Sequence, residues 1–165
     1  MKTIIFDFRD EQAIDGWQPV DDVVMGGVSS SRLERAGSGA AAFTGAVSLD
    51  RGGGFASVRS CPQKRDLSRY TSLSLRIRGD GRRYKVNLRT DLARRDILYA
   101  SMFETRAGEW QDVTVPFEEL QPTFRGRLLE DCPPLDPSRV TSVGLMISDR
   151  QAGPFRLEIA RIEVC

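Results

Sequence analysis

The side chains that could do chemistry are concentrated in residues 21–31, which read DDVVMGGVSSS. Two carboxylates, a short apolar run, paired glycines and three serines make an oxygen-rich stretch. Such a set could ligate calcium, which takes about six to eight oxygens, several of them backbone carbonyls. It does not match an EF-hand, and a hydrogen-bonded turn is the favoured reading. Gly26 and Gly27 then sit where φ is positive or another backbone comes close. A second glycine knot, Gly52-Gly53-Gly54, precedes Phe55. Other chemistries lack their parts. The chain has no histidine, which removes the commonest neutral-pH proton shuttle and metal ligand. Ser-His-Asp and Cys-His machinery go with it, as do histidine-containing zinc sites. Cys61, Cys132 and Cys165 are far apart and form no CxxC; they are expected as two buried or inert thiols and one at the C-terminus, in a reducing compartment. Carboxylates are numerous, but no pair stands in a motif that would mark glycoside hydrolysis. No catalytic residue, cofactor or metal is expected.

Arg59, Arg76, Arg78 and Arg89 project from segments that read as neighbouring strands, most of them onto a solvated outer face. Arg59 shares a face with Phe55. If buried it needs a carboxylate partner, for which Asp22 and Asp80 are candidates, as a structural clamp or the floor of a binding groove. Asp80 lies in Gly79-Asp80-Gly81, which is turn chemistry rather than a phosphate loop, because a strand and not a helix follows. Trp17, Tyr84 and Trp110 are aromatic platforms that could stack on sugar rings.

The balance of 24 basic against 23 acidic side chains in 165 residues argues against a nucleic-acid or anionic-membrane binder. No apolar stretch approaches membrane-spanning length. The N-terminus, MKTIIFDFRDE, resembles neither a signal peptide nor an Arg-rich transit segment. The expectation is a soluble, cytoplasmic protein of one domain, residues 1–165.

Period-two alternation places strands at residues 3–8, 17–20, 29–35, 40–49, 55–61, 73–78, 84–90, 97–104, 110–115, 139–148 and 154–164. Leu73, Leu75 and Ile77 face inward in one, and Tyr84, Val86 and Leu88 in the next. Asp80-Gly81 between them predicts a hairpin. Trp17 caps one end of the core. Residues 121–138, with four prolines, read as an irregular surface excursion. This run of short strands without long amphipathic helices indicates an all-β antiparallel sandwich or jelly roll.

An ordered set of segments adds to this. It comprises Trp17, then DVVMGGVS at 22–29, FTG at 43–45, GGFASVR at 53–59, RGDGRRY at 78–84, Trp110 with VPF at 115–117, and GPF at 153–155. Together they resemble the complex I intermediate-associated protein family, the thirty-kilodalton assembly factor and its bacterial relatives. The resemblance implies a galactose-binding-domain-like jelly roll and a non-catalytic, chaperone-like role in assembling a protein client. The missing transit segment makes the chain similar to a stand-alone bacterial-type member. The fold it implies also resembles carbohydrate-binding modules, so a sugar ligand is the rival expectation. The polar or exposed motif positions Asp22, Met25, Ser29, Arg59, Arg78 and Asp80 are the expected binding surface. The competing expectation is that they lock two loops together.

Overall fold

The computed structural model describes residues 1–22, 26–37, 39–91 and 97–165. Thirteen strands and a few single 3-10 turns make up its regular structure. The strands are β1 (Thr3–Asp7), β2 (Gln18–Pro19), β3 (Ser30–Ala36), β4 (Ala40–Val47), β5 (Ala56–Arg59), β6 (Ser72–Arg78) and β7 (Arg83–Thr90). They continue with β8 (Leu98–Glu104), β9 (Trp110–Pro116), β10 (Gln121–Phe124), β11 (Arg127–Leu128), β12 (Val140–Ile147) and β13 (Gly153–Val164). One sheet runs β3-β4-β13-β6-β9, with β1 also paired to β13; the other runs β11-β10-β8-β7-β12-β5-β2. The strand pairings are antiparallel, and the result is an all-β antiparallel sandwich, as the alternation predicts.

The alternating apolar side chains supply the core. Leu73, Leu75 and Ile77 of β6 and Tyr84, Val86 and Leu88 of β7 are fully buried. Burying one such side chain contributes about 1.5–3 kcal/mol. Phe43, Tyr84, Phe103 and Phe155 form an aromatic cluster with ring centroids 4.8–6.3 Å apart. A bulge at Ala160 shifts the register of β13 between Ile159 and Arg161, so Ile159 and Ile162 both reach the core. Gly45 lets β3 approach β4, because a Cβ there would overlap the Ser30 carbonyl oxygen. Trp17 closes one end of the core, packed edge-on to Phe6 and Phe8 at 5.1 and 5.9 Å.

The predicted hairpin across Gly79-Asp80-Gly81 does not form: β6 and β7 belong to different sheets. Their apolar faces look at each other across the core instead of lying side by side. Asp80 lacks the positive φ that a two-residue type I′ turn requires, and only Gly81 has it. The turn is anchored to its surroundings. Gly79 bridges to Ala107, Gly81 donates its N–H to Thr105 Oγ1 at 3.0 Å, and Asp80 accepts from the Arg156 N–H at 2.9 Å. Residues 121–138 are less irregular than expected. They begin with the β10–β11 hairpin, whose turn residues Arg125 and Gly126 both have positive φ (49° and 82°). Among the cysteines, Cys61 is exposed rather than buried, and none of the three is paired.

Candidate functional site

The oxygen-rich stretch folds into a lock. Asp22 is 1% exposed and Ser29 2%. Asp22 Oδ1 accepts from the Ser29 N–H at 2.9 Å. Its Oδ2 accepts from Ser29 Oγ at 2.5 Å, from the Gly54 N–H at 2.8 Å and from the Phe55 N–H at 3.3 Å. The Gly27 N–H closes the turn onto the Asp22 carbonyl at 2.8 Å. Two glycines of the sequence pattern are explained by this carboxylate. A Cβ on Gly27 would overlap Asp22 Cγ, and one on Gly53 would sit 2.5 Å from Oδ2. Burial pushes the Asp22 pKa up, but the hydrogen bonds from Ser29, Gly54 and Phe55 outweigh it and hold the carboxyl below its ordinary value. Asp21 repeats the device, with Oδ1 accepting from Ser31 Oγ at 2.5 Å and from the Ser57 N–H at 3.0 Å. The carboxylate oxygens face N–H and O–H donors, so the chemistry performed here is loop fastening.

Arg78 and Asp80 lie elsewhere. Arg78 is on the outer face of the β3-β4-β13-β6-β9 sheet, ion-paired with Glu158 and stacked 5.0 Å from the Trp110 ring centroid. The Arg78 hydrogen bond is the main cause that holds the Glu158 pKa below its ordinary value. Arg76 and Arg161 continue this lattice to Asp112 at 3.3 and 3.9 Å. Asp80 sits at the corner described above, where its Oδ1 also accepts from Tyr84 Oη at 3.0 Å. Burial of Tyr84 and the neighbouring Asp80 charge push the Tyr84 pKa strongly upward. Met25 lies outside the described residues. The five described residues of the expected six therefore do not converge on one groove.

Arg59 does face a groove. The outer face of the seven-stranded sheet carries a concavity of about 680 Å³. One rung of this sheet, read across the strands, is Arg59, Gly144, Asn87, Ala100 and Gln121. The next is Ser57, Met146, Lys85 and Met102. Gly144 and Ala100 make the floor shallow on either side of Asn87. The Asn87 side chain lies over Gly144, where a Cβ would be 2.5 Å from its Oδ1. The Gly53-Gly54-Phe55 segment, fastened by Asp22, forms one wall. Lys85 is paired with Asp149 at 3.3 Å. Among the described residues, no carboxylate lies within ion-pair distance of Arg59, Arg89 or Arg125. Burial lowers the pKa of Arg59. The expected partners Asp22 and Asp80 are both engaged away from it. Lys85, Asn87 and Arg89 were legible as the polar side of the alternating YKVNLRT segment. Gln121 and Arg125 carried no such signal.

The aromatic platforms lie outside the groove. Trp17 and Tyr84 are buried in the core, and Trp110 belongs to the opposite sheet. Phe55 is the one aromatic ring among the described lining residues.

Comparison with known proteins places this geometry. A family model described as Complex I intermediate-associated protein 30 matches residues 6–159. The mouse protein of that name is 30% identical over 181 residues, covering 98% of this chain and 55% of its own length. The Drosophila melanogaster protein is 29% identical over 178 residues, covering 94% and 60%. The chain thus spans somewhat over half the length of these curated relatives. Both relatives are named as mitochondrial, which overturns the cytoplasmic expectation. Among solved structures, the family 11 carbohydrate-binding module of a Clostridium thermocellum cellulosomal cellulase superimposes with a TM-score of 0.74. It is 13% identical and covers 99% of this chain and 94% of its own. The family 30 module of another cellulosomal cellulase from that organism has a TM-score of 0.56 at 20% identity, covering 100% and 97%. These likenesses establish the β-sandwich fold and nothing about ligands. The match of the family model over residues 6–159, nearly the whole sandwich, makes this chain a member of the complex I intermediate-associated protein 30 family.

Proposed function

We propose that residues 1–165 act as one non-catalytic binding module that holds a protein client during assembly, the client being a part of respiratory NADH:ubiquinone oxidoreductase. The family membership supports assembly as the role. The observation that carries the reading is the make-up of the groove: polar and cationic side chains around thioethers, and a single carboxylate, Asp149, among its described lining residues. Glycoside hydrolysis needs two carboxylates flanking the scissile bond, and the one present is neutralised by Lys85. Of the six residues expected at a binding surface, this reading gives recognition to Arg59. It makes Asp22 and Ser29 positioning residues that hold the Gly53–Phe55 wall.

The test is deletion of the gene in the source organism, with native-gel measurement of assembled NADH:ubiquinone oxidoreductase. Loss of the assembled complex, restored by the wild-type chain, is the expected result. A normal level of complex in the deletion strain overturns the reading. A carbohydrate ligand is the second reading, favoured by the sandwich fold shared with the Clostridium modules. It predicts saturable binding on a glycan array.

A further inference from the structure

Asn87 is buried to 97%, being 3% exposed, yet it lines the groove and its carboxamide has no hydrogen-bond partner among the described residues. Its polar atoms keep their opening onto the groove, so the carboxamide is free to bond a ligand laid there. Ser148, also in the lining, has a buried Oγ that is likewise unpartnered. Three arginines, Arg59, Arg89 and Arg125, line the same groove, and no carboxylate among the described residues lies within ion-pair distance of them. We infer that this groove binds an extended acidic segment of a partner polypeptide, with Asn87 and Gln121 bonding its backbone and Arg59, Arg89 and Arg125 taking its carboxylates.

The dimensions suit that occupant. From β5 to β10 the groove crosses β12, β7 and β8. Four strand spacings of about 4.8 Å give roughly 19 Å, the length of about six extended residues. Carboxamides offer both a donor and an acceptor, which matches a peptide backbone. Guanidinium groups bind carboxylates in bidentate fashion. Met146 and Met102 flank Lys85 in the adjoining rung, and thioethers adapt to varied side chains. A sugar chain or a single-stranded nucleic acid is held largely by stacking on aromatic faces, and the described lining offers only Phe55.

This inference deepens the assembly reading and rests on it for the occupant being a polypeptide. The experiment is fluorescence anisotropy of fluorescein-labelled hexaglutamate with the full chain, against hexaglutamine and a mixed-linked β-glucan tetrasaccharide. Hexaglutamate is expected to bind saturably, more weakly as salt rises, with hexaglutamine and the tetrasaccharide inert. The Arg59→Gln/Arg89→Gln pair should weaken binding by about tenfold or more. Arg125→Gln, on an exposed turn and so harmless to folding, should weaken it about threefold to tenfold. Asn87→Leu keeps the charge and should also weaken it about threefold to tenfold, a loss that diffuse attraction to a basic surface would not produce. Arg76→Gln, on the opposite sheet, should bind as wild type. The inference is overturned by no saturable binding up to about 1 mM, by equal losses for Arg76→Gln and Arg125→Gln, or by tetrasaccharide binding in place of hexaglutamate. Absent peptide binding with lost complex in the deletion strain sinks the groove and leaves the assembly reading. Peptide binding with normal complex assembly does the reverse.

Discussion

Replacing Asp22 by Asn is the sharpest test of the lock. The substitution keeps the side-chain shape and leaves one acceptor oxygen, which can still take the Ser29 N–H. The NH₂ group that replaces Oδ2 then faces the Gly54 and Phe55 N–H groups, now 2.8 and 3.3 Å from the carboxylate oxygen. The Ser29 hydroxyl has an alternative acceptor in the Ser48 carbonyl at 3.2 Å. Two backbone donors lose a charged acceptor, at about 1–3 kcal/mol each with the weaker bond at the low end. The sum is about 3 kcal/mol, which lowers the melting temperature of a chain this size by about 10 °C. Urea denaturation should show a lower midpoint at unchanged slope. The sign of the pH dependence follows from the direction of the shift. The Asp22 carboxyl is held below its reference value of 3.8 in the folded state. Its contribution is therefore full above that value and lost as pH falls through the lower, folded one. The stability gap between wild type and Asp22→Asn should be constant from neutrality to about pH 5 and shrink on further acidification. A gap under about 0.5 kcal/mol at neutrality, or one that persists in strong acid, refutes the assignment of Asp22 as the fastener.

Gly45→Ala should destabilise by about 1–3 kcal/mol in the same urea assay, because its Cβ would overlap the Ser30 carbonyl oxygen, while Gly37→Ala, with nothing within 4 Å, should be neutral. Alkaline absorbance titration should show Tyr84 and Tyr99 still protonated at pH 10.0, the ordinary tyrosine value: Tyr84 is raised strongly by burial, and Tyr99 is pushed up by burial to about 12. Arg125→Asn should stabilise by about 0.5 kcal/mol in thermal unfolding, because Asn tolerates the left-handed φ of 49° at the first turn position better than Arg does.

Much of the sandwich was legible because its signal is local. Alternation in SLSLRIR and RYKVNLRT assigns Leu73, Leu75, Ile77, Tyr84, Val86 and Leu88 to the core, and each is fully buried. Paired glycines beside Asp22 and Phe55 mark close approach, and that approach is onto the Asp22 carboxylate. The sequence alone also excluded histidine-based catalysis, since no histidine exists to perform it.

Sheet membership was decided only in three dimensions. Alternation says which side of a strand is apolar but not which strand it pairs with. Asp80-Gly81 reads as a hairpin in the sequence, yet Thr105, Ala107 and Arg156 hold it as a corner. In the sequence Arg78 reads as an outward arginine and Arg59 as one that shares a face with Phe55, and neither reading supplies the partners. Glu158 and Trp110 engage Arg78, while Arg59 opens onto a groove gathered from β5, β12, β7, β8 and β10. Charge pairing and ligand-facing exposure depend on partners dozens of residues away, and the packing of one sheet against the other selects them.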